Sequence, residues 1–321
     1  MKTLSFLYLT FIIILLPTRL NASVEVDSLT IVNGSYGGGW ELTSKVTGET
    51  LVSLGLINRF KIDTIEGGAG WRALNTFLSD DLYKEDILVQ SEPLLSGYLK
   101  KRYLKGVRDL RPISLLAAEY SCVIVAYDSH YNNFSDVRRA LQDSPEKTPI
   151  SLGGRKGAGD HITANMIFKA AGIADARNLR YVFSDGGDTA AINHLKQSKN
   201  IVGVSGYNSI IAKAVLDNEI RIIGITSAER VDGHLSLKEQ GVDIEYANWR
   251  GFFARKDISE DKFNRYLNIL KKMSESKEWQ AVLKENGWSI FLKSGPELTK
   301  FLNLHEKKLK EIMQDLNLIE K

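Results

Sequence analysis

Short apolar runs alternate with amphipathic stretches along most of the chain. Residues 28–33, 57–63 and 86–90 read as strands, and 40–54, 70–78 and 92–101 as the helices that follow them. Glycine-rich turns at 34–39 and 67–70 separate the first two strands from their helices. A second set begins near Cys122. It has strands at 123–127 and 150–153, helices at 134–142 and 160–171, and a third glycine-rich turn at 153–159. Strands follow at 179–183, 201–205 and 220–226, with helices between them, and at 251–255 after Trp249. Helical segments rich in Lys and Glu then run to the end. This β-α-β-α rhythm predicts an α/β fold built on parallel, doubly wound sheet. Two such sets without a long linker predict two lobes, with the chain crossing between them on strands around a cleft.

The N-terminal pattern differs. Met1 and Lys2 precede an apolar run from Leu4 to Leu16, followed by Pro17, a polar stretch and the small residues Ala22 and Ser23. A short positive start, an apolar middle and a small-residue exit predict a secretory signal peptide over residues 1–22, and hence export to the periplasm. The run is short for a membrane span. The remaining chain divides into one lobe of residues 23–122 plus 246–321 and a second of residues 123–245.

Composition narrows the function. The chain has 42 basic and 39 acidic residues, and removing residues 1–22 takes only Lys2 and Arg19 from that balance. A nucleic-acid protein would carry a concentrated basic face, so none is expected as a partner. Cys122, the one cysteine, sits in the apolar run 122–126 and reads as a small buried hydrophobe. It has no partner for a disulfide and no metal-ligand spacing around it, and no metal or cofactor is expected.

The glycine-rich turns carry the candidate chemistry. The first turn of a helix has free N–H groups and a partial positive charge, so it attracts anions. Glycine lets backbone approach a ligand closely. The first turn is Tyr36-Gly37-Gly38-Gly39-Trp40-Glu41, which matches no nucleotide motif. The second, Gly67 to Gly70, includes Gly68 and reads equally well as a plain connection. The third, Gly153-Gly154-Arg155-Lys156-Gly157-Ala158-Gly159-Asp160-His161, offers backbone donors at Gly157, Ala158 and Gly159, with Asp160 as a helix cap. Arg155 and Lys156 add charge that suits a carboxylate or a solvated loop. Ser184-Asp185-Gly186-Gly187-Asp188 and Ser205-Gly206-Tyr207 occupy further strand ends, where either a polar ring or ordinary turns would fit.

Together these segments resemble the extracytoplasmic receptors of tripartite tricarboxylate transporters, the Bug-type receptors. Gly37-Gly38-Gly39-Trp40-Glu41 is similar to the family's first ligand loop, GGGWD or GGGxD. The third turn is similar to its second, of the GGSxxGSxDH type. Residues 181–187, Tyr-Val-Phe-Ser-Asp-Gly-Gly, resemble the YxxxxGG stretch. Thr226 to Arg230, Leu237 to Val242 and Asn248-Trp249-Arg250-Gly251 resemble later signatures, in the same order. The resemblance implies a periplasmic binding-protein fold of type II, with two doubly wound lobes joined by crossover strands that close on a carboxylated metabolite. By that match Gly38, Gly39 and Trp40 form one half-site, and Gly157, Ala158, Gly159 and Asp160 the other. Tyr36, Gly68, Arg155, Asp185, Gly186 and Ser205 complete the expected ligand-binding set. Glu41 replaces the usual Asp, Ala158 the common Ser, and Ser236 stands where Pro-Thr is usual.

The expected function is capture of a small di- or tricarboxylate, citrate-like, and its delivery to a membrane permease by a monomer. A periplasmic sensor presenting the ligand to a signalling kinase fits the same lobes. An enzyme is not expected, because neither a Gly-x-Ser-x-Gly elbow nor a metal cluster of His, Cys and acids appears.

Overall fold

The computed structural model describes residues 26–36, 39–184 and 187–320. The signal segment 1–22 and the site candidates Gly38, Asp185 and Gly186 lie outside the described residues, as does Gly37. The first β-α run is β1 (Val26–Asn33), α1 (Gly39–Ser53), β2 (Ile57–Thr64), α2 (Trp71–Ser79), β3 (Ile87–Ser91) and α3 (Pro93–Leu99). The long strand β4 (Leu110–Ala126) follows. A second run comprises α4 (Phe134–Asp143), β5 (Ile150–Leu152), α5 (Gly159–Ala170), β6 (Tyr181–Phe183), α6 (Gly187–Leu195), β7 (Val202–Gly206), α7 (Ser209–Leu216) and β8 (Ile220–Ile225). The chain ends with β9 (Ala247–Arg255), α8 (Glu260–Ser274), α9 (Lys277–Asn286), β10 (Ser289–Ser294) and α10 (Gly295–Asp315).

The parallel β-α pattern read from the sequence is present in both runs. β1 lies parallel to β2 and β3, and β5 parallel to β6 and β7. The sheets are nevertheless mixed. β9 is antiparallel to β3 and β4, and β4 is antiparallel to β7, β8 and β10. The reason is connectivity: β4 carries the chain from one sheet to the other and β9 returns it beside β4, so the two run in opposite directions. The register shows the handover. Leu110 to Tyr120 pair with Arg255 back to Ala247, and Ser121 to Val125 then pair with Gly206 back to Val202.

Each sheet buries apolar side chains on both faces, as a doubly wound layer requires. In the first, Leu51, Tyr266 and Trp279 cover one face, and Leu74, Leu94 and Leu302 the other. In the second, Phe134 and Phe168 cover one face, and Ile192, Leu195 and Ile211 the other. Helix α10 packs on α3 of the first run and on α5 of the second, so it straddles both. Ile162 and Met166 of α5 accordingly join the core beneath it. Among the described residues no helix is long and apolar enough to cross a membrane.

Helix α1 shows how closely the layers meet. Its buried hydroxyls fold back on the helix: Thr43 donates to the Gly39 carbonyl at 2.7 Å, and Ser44 to that of Trp40 at 2.9 Å. Gly48 leaves room for Phe60 of β2, whose ring atoms would lie 2.3–2.5 Å from an added Cβ. Gly48→Ala is therefore expected to cost about 1–3 kcal/mol through overpacking, against its gain in helix propensity, as measured by urea unfolding. An unchanged midpoint would show that Phe60 moves aside freely.

Candidate functional site

The glycine-rich turns gather at the carboxyl ends of the parallel strands, where open α/β sheets bind ligands. The first and second turns are joined through Trp40. Its indole Nε1 donates to Ser91 Oγ at 2.9 Å, and its ring lies against Gly34 and Gly70. The second turn needs its glycines. Gly67, Gly68, Ala69 and Gly70 have φ of 127°, 60°, 55° and 97°, a left-handed run that a chain of larger side chains would resist. The Tyr103 hydroxyl donates to the Ala69 carbonyl and holds that run in place. Tyr36 stands exposed at the other side, its amide 3.4 Å from Glu66 Oε1.

The third turn differs from its sequence reading in two respects. Helix α5 starts at Gly159, so Ala158 is the N-cap and makes no side-chain cap bond. Asp160 lies in the first turn of α5, not at its cap, and its carboxyl accepts the Gly153 amide. Two of the expected backbone donors are also occupied. The Gly157 amide donates to His161 Nδ1 at 3.1 Å, and the Ala158 amide to the Arg155 carbonyl at 2.9 Å. His161 therefore organises the turn. Its ring meets Tyr181 and Phe183 edge-on, and burial, aided by Lys156 and Lys100, holds its pKa down at about 4.

Two charged regions adjoin these turns. The first is a cavity of about 620 Å³ between the two runs. Ala69, Lys100, Arg102 and Tyr103 line it from one side, and Arg155 to Gly159 from the other. Lys100 spans the gap, donating to the Gly157 carbonyl at 2.8 Å. Glu92 is buried in the same wall with Oε1 unpartnered, and burial pushes its carboxyl up to about 7 against the opposing pull of Lys100. Burial likewise lowers Lys100, with Glu92 opposing and Arg102 reinforcing the shift.

The second region holds Glu119 of β4, Arg250 of β9, Asp160 and Asp188. Arg250 Nη2 lies 3.2 Å from Glu119 Oε2. Asp188 accepts from Ser205 Oγ and, at 2.7 Å, from Asn208 Nδ2. Ser205 is thus fully buried with its hydroxyl already committed. Burial raises the Asp160 carboxyl to about 7, with Asp188 and Glu119 adding to the rise. Burial also raises Glu119, opposed by Arg250.

The structure places Arg155, Gly157, Ala158 and Gly159 on the cavity, Asp160 and Ser205 in the second region and Gly39 against Arg250, while Trp40 and Gly68 belong to the neighbouring first and second turns. The turn-based reading missed Glu92, Lys100, Arg102, Glu119 and Asn208, and took Arg250 only as part of a signature. A usable signal was present for two of them: Glu119 and Arg250 are charges in mid-strand, whereas Arg111 and Arg255 lie at the strand ends.

Solved structures of known proteins share the fold. A TctC solute-binding protein from Polaromonas has 15% identity and a TM-score of 0.76, over 91% of this chain and 98% of that one. The periplasmic binding protein BugD has 15% identity and a TM-score of 0.68, over 92% and 99%. MatC from Rhodopseudomonas palustris with bound malate has 14% identity and a TM-score of 0.64, over 89% and 98%. Comparison with curated protein sequences finds no match. The profile of the tripartite tricarboxylate transporter family receptor, TctC, matches residues 87–318. The chain is a binding protein, not an enzyme, and belongs to the tripartite tricarboxylate transporter receptor family.

Proposed function

We propose that the chain is exported by its signal peptide and captures a small di- or tricarboxylate between two lobes. One lobe comprises residues 23–122 plus 246–321, and the other residues 123–245. The loaded protein delivers its ligand to the permease of a tripartite tricarboxylate transporter. The observation that carries this reading is the cavity of about 620 Å³ in which Lys100 and Arg102 face Arg155 and Lys156 at the start of α5. Four cations and a helix N-terminus in one concave site suit an anionic ligand through charge-assisted hydrogen bonds. The malate held by MatC is an anion of that class.

Calorimetric titration of the purified protein with malate, succinate, adipate and citrate tests the reading. At least one is expected to bind, and Lys100→Met to weaken that binding by about tenfold or more. If none binds while a sugar or a cation does, the reading fails.

A further inference from the structure

A second concave site lies apart from both charged regions. It measures about 230 Å³ and is enclosed by α5, the residues entering β9, β10 and α10. It shares no lining residue with the cavity of about 620 Å³. Helix α5 separates the two: Ile162 lines the cavity, and Met166, one turn on, lines this pocket. The volume falls below the range of about 300–1,000 Å³ that takes a drug-sized ligand, so it suits a single ring with a short substituent.

Its wall is aromatic. Phe291 of β10 meets Phe301 of α10 edge to face, with ring centroids 5.3 Å apart. His305, one turn along α10, contacts Phe301 at 5.4 Å and stacks on Tyr246 at 5.5 Å and 26°. These four rings form a continuous run, which attracts a flat ligand by offset or edge-to-face contact. His305 is not explained by packing alone. Its Nε2 is buried without a hydrogen-bond partner, a cost that phenylalanine would not carry, and burial, aided by Lys308, holds its pKa down at about 4. The ring is therefore neutral at pH 7. The charge at the pocket comes from Lys293 and Lys308, set against one exposed acid, Glu245. Lys293 is already engaged: it bonds Glu297 at 2.7 Å and lies over the rings of Phe291 and Phe301. Lys308 is the cation left to meet a ligand's charge.

We propose that this pocket is a second binding site, for a small aromatic carboxylate, whose ring lies against Phe301, His305 and Tyr246 and whose carboxylate meets Lys308. The flat walls select the ring, and the positive rim selects the acid. The site is independent of the charged cavity and of the ligand taken there.

Three matched probes test it: benzoate, benzamide, which lacks the charge, and cyclohexanecarboxylate, which lacks the flat ring. Each is titrated into the purified full chain and followed by NMR. Benzoate is expected to fill a saturable site about tenfold more tightly than benzamide and several-fold more tightly than cyclohexanecarboxylate. Lys308→Met is expected to remove the advantage over benzamide. Leu304 lines the pocket from an exposed position of α10, so Leu304→Glu leaves the core intact and sets a carboxylate at the mouth. It is expected to weaken benzoate about tenfold or more, and Lys100→Met, in the other cavity, to leave benzoate unchanged. The assignment is overturned if benzoate does not saturate, if the three probes bind equally, or if benzoate binding survives Leu304→Glu. Loss of benzoate binding in Lys100→Met also overturns it, because the probe then occupies the charged cavity.

Discussion

Replacing Asp160 with asparagine is expected to stabilise the protein by roughly 2–4 kcal/mol at about pH 8 and to change little at about pH 3. The carboxyl is pushed up to about 7 by burial first, then by Asp188 and Glu119. Tyr246 also lies within electrostatic reach of it. A carboxyl whose folded value is raised binds its proton more tightly in the native state. Its most favourable contribution therefore lies below the unfolded value of 3.8 and is lost as pH rises to about 7. Asparagine is neutral throughout and can still accept the Gly153 amide. The wild-type profile alone would hide the effect. His161 and His305 are held down at about 4, so they favour the folded state above about 6.5 and withdraw that support as the solution is acidified. Glu92, raised to about 7, acts in the same sense as Asp160. These opposed contributions share one pH window and largely offset each other. The difference between variant and wild type, measured by urea unfolding at several pH values, isolates Asp160. A difference that does not grow between about pH 4 and pH 7 would show the carboxyl to be ionised at no cost.

Such a strained charge is expected where binding, not stability, sets the residue. The same conflict explains what could be read from the sequence. The β-α units were legible because each is a local pattern: an apolar strand, a glycine-rich turn and a helix. The first half of β4 was not. Leu110 to Tyr120 contains Arg111, Pro112 and Glu119, and it lacks period-two alternation because the strand is covered on both faces. β10 was absorbed into the charged C-terminal region, where Ser289 to Ser294 is short and alternates only weakly. The glycine turns were legible as candidate anion sites, since helix starts advertise themselves. The buried ion pair beside those turns joins Glu119 and Arg250, which are 131 positions apart. Only the crossing of β4 and β9 puts them together, and no local pattern encodes that crossing.

The glycine turns also depend on one another, and the largest expected loss follows from that. Gly70→Ala is expected to destabilise the protein by about 3–5 kcal/mol. Part of this is backbone strain, because Gly70 has φ of 97°. The rest is collision: an added Cβ would lie 2.6 Å from Trp40 Cη2 and 2.8 Å from Cζ3. The ring has little freedom to retreat, since its Nε1 is bonded to Ser91 and Gly34 lies close on its face. Trp40→Leu removes the obstacle and leaves the strain. The double variant should therefore recover about 1–3 kcal/mol relative to the sum of the single changes, a coupling that a four-protein unfolding cycle reads directly. Strict additivity would mean that the ring yields and only the dihedral matters. If the coupling is found, Gly70 acts on the site through Trp40. The first turn of α1 carries both that ring and Gly39, which lies against Arg250. Gly70→Ala should then weaken ligand binding although residue 70 lines neither charged region. The second glycine turn, which as sequence is indistinguishable from a plain connection, thereby sets where the first one stands.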